Sequence, residues 1–326
     1  MTLRQCRAAL TALAAIAAAA LIAPSYGQTP YPSQGIRFII PAGAGGLPDT
    51  VARIVARRLQ EKAGQPVVVE NRAGGNGAVA VSALLSLPAD GHSFIIQDGS
   101  IWAINPHIYA RMAYNVADLT PAAMVARAPL FLAVHEKVPV TSMQQLIDHV
   151  RARPGQLNYG SSGVGSTHHL SMLALASALD LKMTHVPFKG TSESVPALLG
   201  GHIEVLFAAY PNLASAVATG KVRMLATSGA VRAAAAPDVP PVGDFVPGFD
   251  FAPRIGLYAR TGTPDELIER IAALVVEIAR EPEVAKLFAT AGIEPAGAGP
   301  AEFRAALQRE SDLVARTVKA AGIKTE

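Results

Sequence analysis

Two glycine-rich stretches hold most of the chain's chemical potential. The first, Pro41-Ala42-Gly43-Ala44-Gly45-Gly46-Leu47-Pro48-Asp49, joins a strand pattern to a helix pattern. Glycines let a backbone approach a ligand closely, and a helix start offers unpaired N–H groups at the positive end of its dipole. Ala44, Gly45, Gly46 and Asp49 are therefore candidate ligand contacts. The stretch is no dinucleotide or Walker loop: Pro48 stands where G-x-G-x-x-G needs its last glycine, and the Walker lysine is missing. The second stretch, Gly160-Ser161-Ser162-Gly163-Val164-Gly165-Ser166-Thr167-His168-His169-Leu170, also follows a strand and opens a helix. Here hydroxyls stand among the glycines, and hydroxyl plus backbone donors at a helix start suit a carboxylate. Ser162, Gly163, Ser166 and Thr167 are the candidates. His168-His169 does not make a metal site: adjacent helical residues point about 100° apart, and no Glu or Cys completes a set. No G-x-S-x-G elbow surrounds Ser161 or Ser162, and no tight pair of acids suggests acid–base chemistry. The expectation is a site without metal, cofactor or catalytic group.

The elements around these loops alternate. Strand patterns at Ile36–Ile40, Val67–Val69, Phe94–Ile96, Leu157–Tyr159, His185–Pro187, Val205–Phe207 and Met224–Ala226 alternate with helical spacing, as in Val51, Ile54, Val55 and Leu59. This predicts an α/β protein with two doubly wound sheets. From Pro264 onward the pattern is helical with no clear strand, and that tail needs the first domain's sheet to pack on. The chain is thus expected to form one domain from residues 28–129 plus 256–326 and another from 130–255. Hinge crossings are expected near Leu130–Val134 and Ile255–Tyr258, with a ligand cleft between the lobes.

Residues 1–27 read as a secretory signal: Arg4 and Arg7, an apolar run from Ala8 to Ala23, then Pro24-Ser25-Tyr26-Gly27, with cleavage before Gln28. The run is shorter than the roughly 20 residues of a spanning helix. Cleavage removes Cys6, the only cysteine, and with it any thiol chemistry. The net charge of +3 drops with Arg4 and Arg7 to about +1, no footprint for nucleic acid. About 300 residues remain, enough for two domains.

Read with their surroundings, the loops resemble the Bug family, the receptors of tripartite tricarboxylate transporters. The shared blocks run through nearly the whole mature chain. They are Tyr31-Pro32, Pro41 with Gly45-Gly46 and Asp49, Gly64 to Arg72, Pro88 to Gly91, and Asn105-Pro106 with Tyr109. Arg153 to Tyr159, Ser162 to Leu170, Val186 to Gly190 and Gly262 to Pro264 complete them. The resemblance implies a two-lobed periplasmic binding protein fold (venus-flytrap, type II-like) that delivers a small carboxylate to integral-membrane permease subunits as a monomer. It implies that the Gly45–Asp49 and Ser162–Thr167 loops clamp one carboxylate, partly through ordered water. An ionised Asp49 must accept from water or orient its loop. Two departures bear on the ligand. The family's polar residue after Phe207 is replaced by Ala208 and Ala209, with Ala208 expected to touch the ligand in its place, and Arg254 stands where an aromatic is common. Arg254 is accordingly expected to read a second anionic group. Trp102, beside Ser100 in the loop after the third strand, is expected to form an aromatic wall. The alternatives are an α/β hydrolase using Ser162 and His169, and a co-receptor presenting its ligand to a sensor kinase.

Overall fold

The computed structural model describes residues 31–322; the expected signal segment lies outside them. The first sheet has the order β11-β4-β10-β3-β1-β2. It comprises β1 (Ile36–Ile40), β2 (Val67–Asn71), β3 (Ser93–Gln97), β4 (Leu119–Arg127), β10 (Arg254–Arg260) and β11 (Glu294–Ala298). β1 runs parallel to β2 and β3, whereas β10 is antiparallel to both β3 and β4. Strand alternation distributes β1 to two cores: Ile36, Phe38 and Ile40 join one cluster with Val51, Val55 and Leu59, and Ile39 joins another with Val81, Leu84 and Phe303. Both faces of its central strand β10 are buried.

The second sheet has the order β7-β6-β8-β5-β9, built from β5 (Leu130–His135), β6 (Asn158–Ser161), β7 (Thr184–Pro187), β8 (Val205–Ala209) and β9 (Val222–Thr227). β6 is parallel to β7 and β8; β5 is antiparallel to β8 and β9. Both sheets are mixed. The helices that matter for the cleft each follow a strand: α1 (Leu47–Ala63) after β1, α2 (Ala78–Leu85) after β2, α3 (Asn105–Ile108) beyond β3. In the second lobe α4 (Met143–Ala152) precedes β6, and α5 (Thr167–Leu179), α6 (Thr191–Leu199) and α7 (Tyr210–Ala218) follow β6, β7 and β8.

The residues expected at the crossings lie inside strands. Leu130–Val134 belong to β5 and Ile255–Tyr258 to β10. The chain instead passes from β4 to β5 across Ala128-Pro129 and comes back just ahead of Arg254, and the two passages touch where Ala128 N–H donates to Pro253 O at 2.9 Å. The tail also differs from expectation. α8 (Asp265–Ala279) and α9 (Pro282–Thr290) lead into β11, a short strand whose Glu-Pro-Ala-Gly-Ala sequence carries no strand signature. The last helix, α10 (Pro300–Ala321), does not belong to the first lobe alone. Phe303 and Leu307 enter the first lobe's core, while Val314 and Val318 enter the second's. It therefore packs on both lobes.

Candidate functional site

The first glycine loop is shaped by one carboxylate. Asp49, only 2% exposed, accepts from the N–H of Gly45 at 2.8 Å, from Asn71 Nδ2 at 3.0 Å and from Arg53 Nε at 2.9 Å. Burial alone would raise its pKa, but these donors together outweigh it and hold the carboxyl below its ordinary value. Asp49 is thus tied to the backbone of its own loop and lines neither cavity between the lobes. Gly45 adopts a positive φ of 80°, which favours glycine there. Gly45, Gly46 and Leu47 line the cleft, while Ala44 is exposed beside them. The amide of Leu47, in the first turn of α1, has no acceptor within a helix.

The second loop is held by neutral groups. Gly163 sits at φ 117°, and its N–H donates to Ser161 Oγ at 3.1 Å. Its carbonyl accepts from Ser166 Oγ at 2.7 Å, and Ser166 Oγ in turn caps α5 by accepting from the His169 N–H. Gly163 thus supplies conformation, and its amide is already used inside the loop. The first-turn amides of Thr167 and His168 are the ones left to meet an anion.

The two histidines diverge. His168 lines the cleft, and its Nδ1 meets Ser162 Oγ at 2.7 Å. Burial lowers its pKa to about 4, so the imidazole is neutral at neutral pH. A neutral imidazole carries a single N–H, so the tautomer sets which of the two atoms donates in this contact. His169 turns inward: its Nδ1 accepts from the Gly165 N–H at 3.1 Å, and its ring stacks on His185 at 3.9 Å between centroids. His185 in turn meets Ser161 Oγ at 2.7 Å. The serine partner expected for His169 belongs to His168.

Two adjoining cavities lie between the lobes, of about 310 and 440 Å³, and share Asp98, Thr167 and His168. The smaller is polar, with Asn76, Gln97, Ser100 and Asn105 on the first lobe facing Ser162, Ser166 and Thr167 on the second. The larger opens between the starts of α1 and α5 and runs to an apolar end at Leu130, Ala209, Pro211, Pro253 and Ile293. Among the described residues that line either cavity, none is Lys or Arg.

Three expectations are corrected here. Arg254 is 6% exposed and its guanidinium is paired with Asp250 and, at 3.3 Å, with Glu310; it lines a separate cavity with exposed Arg309 and Arg316. Its charge is already matched, so it does not face the cleft. Trp102 packs with the first lobe's cluster beside Ile101, Tyr114 and Phe303 and lines neither cavity. Ala208 is fully buried against Phe131 and Leu213; alternation along β8 sends Ala209 to the cleft instead.

Asn76, Gln97, Asp98, Asn105, His168, Thr191 and Asn212 line the cleft without having been singled out. One signal could have found several of them. In open α/β sheets ligands sit beyond the carboxyl ends of parallel strands, and Gln97-Asp98, Thr191 and Asn212 follow the ends of β3, β7 and β8.

Sequence and structure comparisons agree with this geometry. The sequence profile of the tripartite tricarboxylate transporter family receptor matches residues 51–323. Protein BugT of Bordetella pertussis is 31% identical over 312 residues, covering 95% of each chain. Among solved structures, Rpa4515 of R. palustris with adipate is 32% identical with a TM-score of 0.78, covering 90% of this chain and all of that one. MatC of Rhodopseudomonas palustris with bound malate is 26% identical with a TM-score of 0.72, covering 88% and 100%. Two mixed sheets, a cleft walled by the starts of helices from both lobes, and a profile spanning nearly all the described residues place this chain in the tripartite tricarboxylate transporter receptor family.

Proposed function

We propose that this chain is exported through residues 1–27, binds a small carboxylate between its lobes in the periplasm, and hands it as a monomer to integral-membrane permease subunits. The observation that carries the reading is the convergence of α1 and α5, one from each lobe, on a single cleft. Their first-turn amides and positive dipole ends suit an anion that neither lobe alone would surround. The adipate and malate named for two structural relatives support a carboxylate as the class. The two passages at Ala128-Pro129 and ahead of Arg254 then act as the hinge on which the lobes close.

The Ser162–His168 contact is the one feature a hydrolase would share. A serine nucleophile needs its histidine oriented by a third group, and among the described residues no acid accepts from His168. The receptor reading predicts ligand-induced thermal stabilisation and a smaller radius of gyration by small-angle scattering, without product. Turnover of an ester or amide, lost in Ser162→Ala, would replace it with the hydrolase.

A further inference from the structure

We propose that Asp98 is the specificity-determining residue of the cleft and pairs with an ammonium group, so that the ligand is an amino-carboxylate and not a plain di- or tricarboxylate. The inference rests on the reading of the cleft as a carboxylate site and names what else the ligand carries. Asp98 follows β3 and borders both cavities together with Thr167 and His168. A carboxylate at the start of α5 therefore brings the ligand's neighbouring atoms against Asp98.

The charges around Asp98 leave it unmatched. Its side chain is held by Ser100, whose N–H donates to Oδ1 at 3.0 Å, and among the described residues no Lys, Arg or His pairs with it. Behind it, across Gly99, lies another acid: a Cβ on Gly99 would stand 2.8 Å from Glu310 Oε2. The nearby guanidiniums are committed elsewhere, Arg127 to Asp250 and Arg254 to Asp250 and Glu310. Both guanidiniums are thus engaged by Asp250 and Glu310, and neither pairs with Asp98. The other groups around it bring no positive charge: Gln97, whose buried Oε1 has no partner; neutral His168; and Tyr258, whose hydroxyl donates to the Asp98 carbonyl at 3.2 Å. Burial pushes the Asp98 carboxyl above its ordinary value, with Ser100 pulling partly back, and a bound ammonium relieves that penalty. A second carboxylate in the same place meets a like charge, which selects against the wrong ligand as strongly as the ammonium selects for the right one. The apolar end of the larger cavity takes the rest of the molecule.

The test is calorimetric titration at neutral pH with matched pairs: alanine and propionate, norleucine and hexanoate, glutamate and glutarate, with adipate added. Wild type should bind at least one amino acid about tenfold or more tightly than its amine-free partner, the scale of one charge-assisted hydrogen bond. Asp98→Asn, which keeps the shape and removes the charge, should erase most of that preference. The preference surviving Asp98→Asn, or an amine-free partner or adipate binding wild type best, overturns the proposal. Dicarboxylate binding that strengthens as pH is lowered and disappears in Asp98→Asn also overturns it, by making Asp98 a protonated donor to a second carboxylate. Carboxylate binding with no amine preference removes this inference and leaves the receptor reading standing; no binding by any member removes both.

Discussion

The hinge gathers guanidiniums onto carboxylates, with Arg127 and Arg254 on Asp250 and Arg254 on Glu310. The cleft in front of it is lined instead by amides, hydroxyls and helix starts, with Asp98 the one acidic side chain among its described residues. Both regions handle charge, by different means. A helix start presents its donors already oriented and loses no counter-ion when an anion arrives. A buried ion network is costly to desolvate, yet it fixes the relative positions of the segments that carry it. Here those segments are β4, β10, the return strand's approach and helix α10. Basic side chains therefore tie together the segments between the lobes, and backbone amides are left to meet the proposed ligand.

Arg254→Ala should break this division most visibly. It removes the cation shared by Asp250 and buried Glu310, a loss of about 3 kcal/mol in stability that shrinks at acidic pH, where Glu310 is protonated. Ligand preference in the surviving folded fraction should not move, because Arg254 does not reach the cleft. Chemical denaturation with titration of the refolded protein checks both. A changed preference with unchanged stability would return Arg254 to the site.

On the cleft side, Gly163→Val forces a β-branched residue into φ 117° and undoes the contacts of Ser161 and Ser166 around it. Affinity should fall about tenfold to a hundredfold, equivalent to one or two lost oriented donors. Gly43→Ala, at an ordinary φ with nothing within 4 Å of the new Cβ, should bind as wild type. Equal affinity for both variants in calorimetry would remove the second loop from the site.

Two buried groups make the regions respond oppositely to pH. In the second lobe His169 is depressed to about 4 by burial and then by His185. The unfolded chain therefore takes up a proton first, and the stability His169 contributes is lost as pH falls from about 6.5 toward 4. In the hinge Glu310 is raised to about 7, chiefly by burial, with Arg254 pulling down. Its contribution is present below the unfolded carboxyl range and is lost as pH rises toward 7. Each amounts to roughly 3 kcal/mol across its window, so the two nearly offset in the wild type. Glu310→Gln should unmask the histidine, giving a melting temperature that falls on acidification from pH 7 to 5. A flat profile in that variant would show that His169 does not titrate as its contacts require.

The smallest effect is expected from Asp49→Asn. The amide oxygen can still accept from the Gly45 N–H and from half-exposed Arg53, but the charge is gone and the new NH2 faces the Asn71 Nδ2 donor, so affinity should weaken only severalfold, about 1 kcal/mol. A loss as large as that of Gly163→Val would mean that the charge of Asp49, and not its geometry, shapes the first loop.

The parallel strands and the two glycine loops were legible in the sequence because each pairs a β-branched run with a turn and a helical period. β11 was not, since Glu294 to Ala298 has no strand-forming residue and is recruited by β4 alone. The crossings were displaced because Leu130–Val134 and Ile255–Tyr258 look like connectors between domains but are apolar enough to be central strands. Arg254, Trp102 and Ala208 were misjudged for a common reason. Residue type suggested chemistry, whereas strand alternation and the partners on α10, which lie far away in sequence, decide which way a side chain faces. Asp98 was overlooked because a lone acid has no motif; only the charges around it give it meaning.

The central claim, that one anion is gripped by helix starts from both lobes, is tested most directly by amide chemical shifts in the isotope-labelled protein titrated with the tightest binder of the panel above. The backbone signals of Gly46 and Leu47 from one lobe and of Thr167 and His168 from the other should move together, with a single midpoint. Shifts confined to one loop, or midpoints that differ between the two, would contradict it.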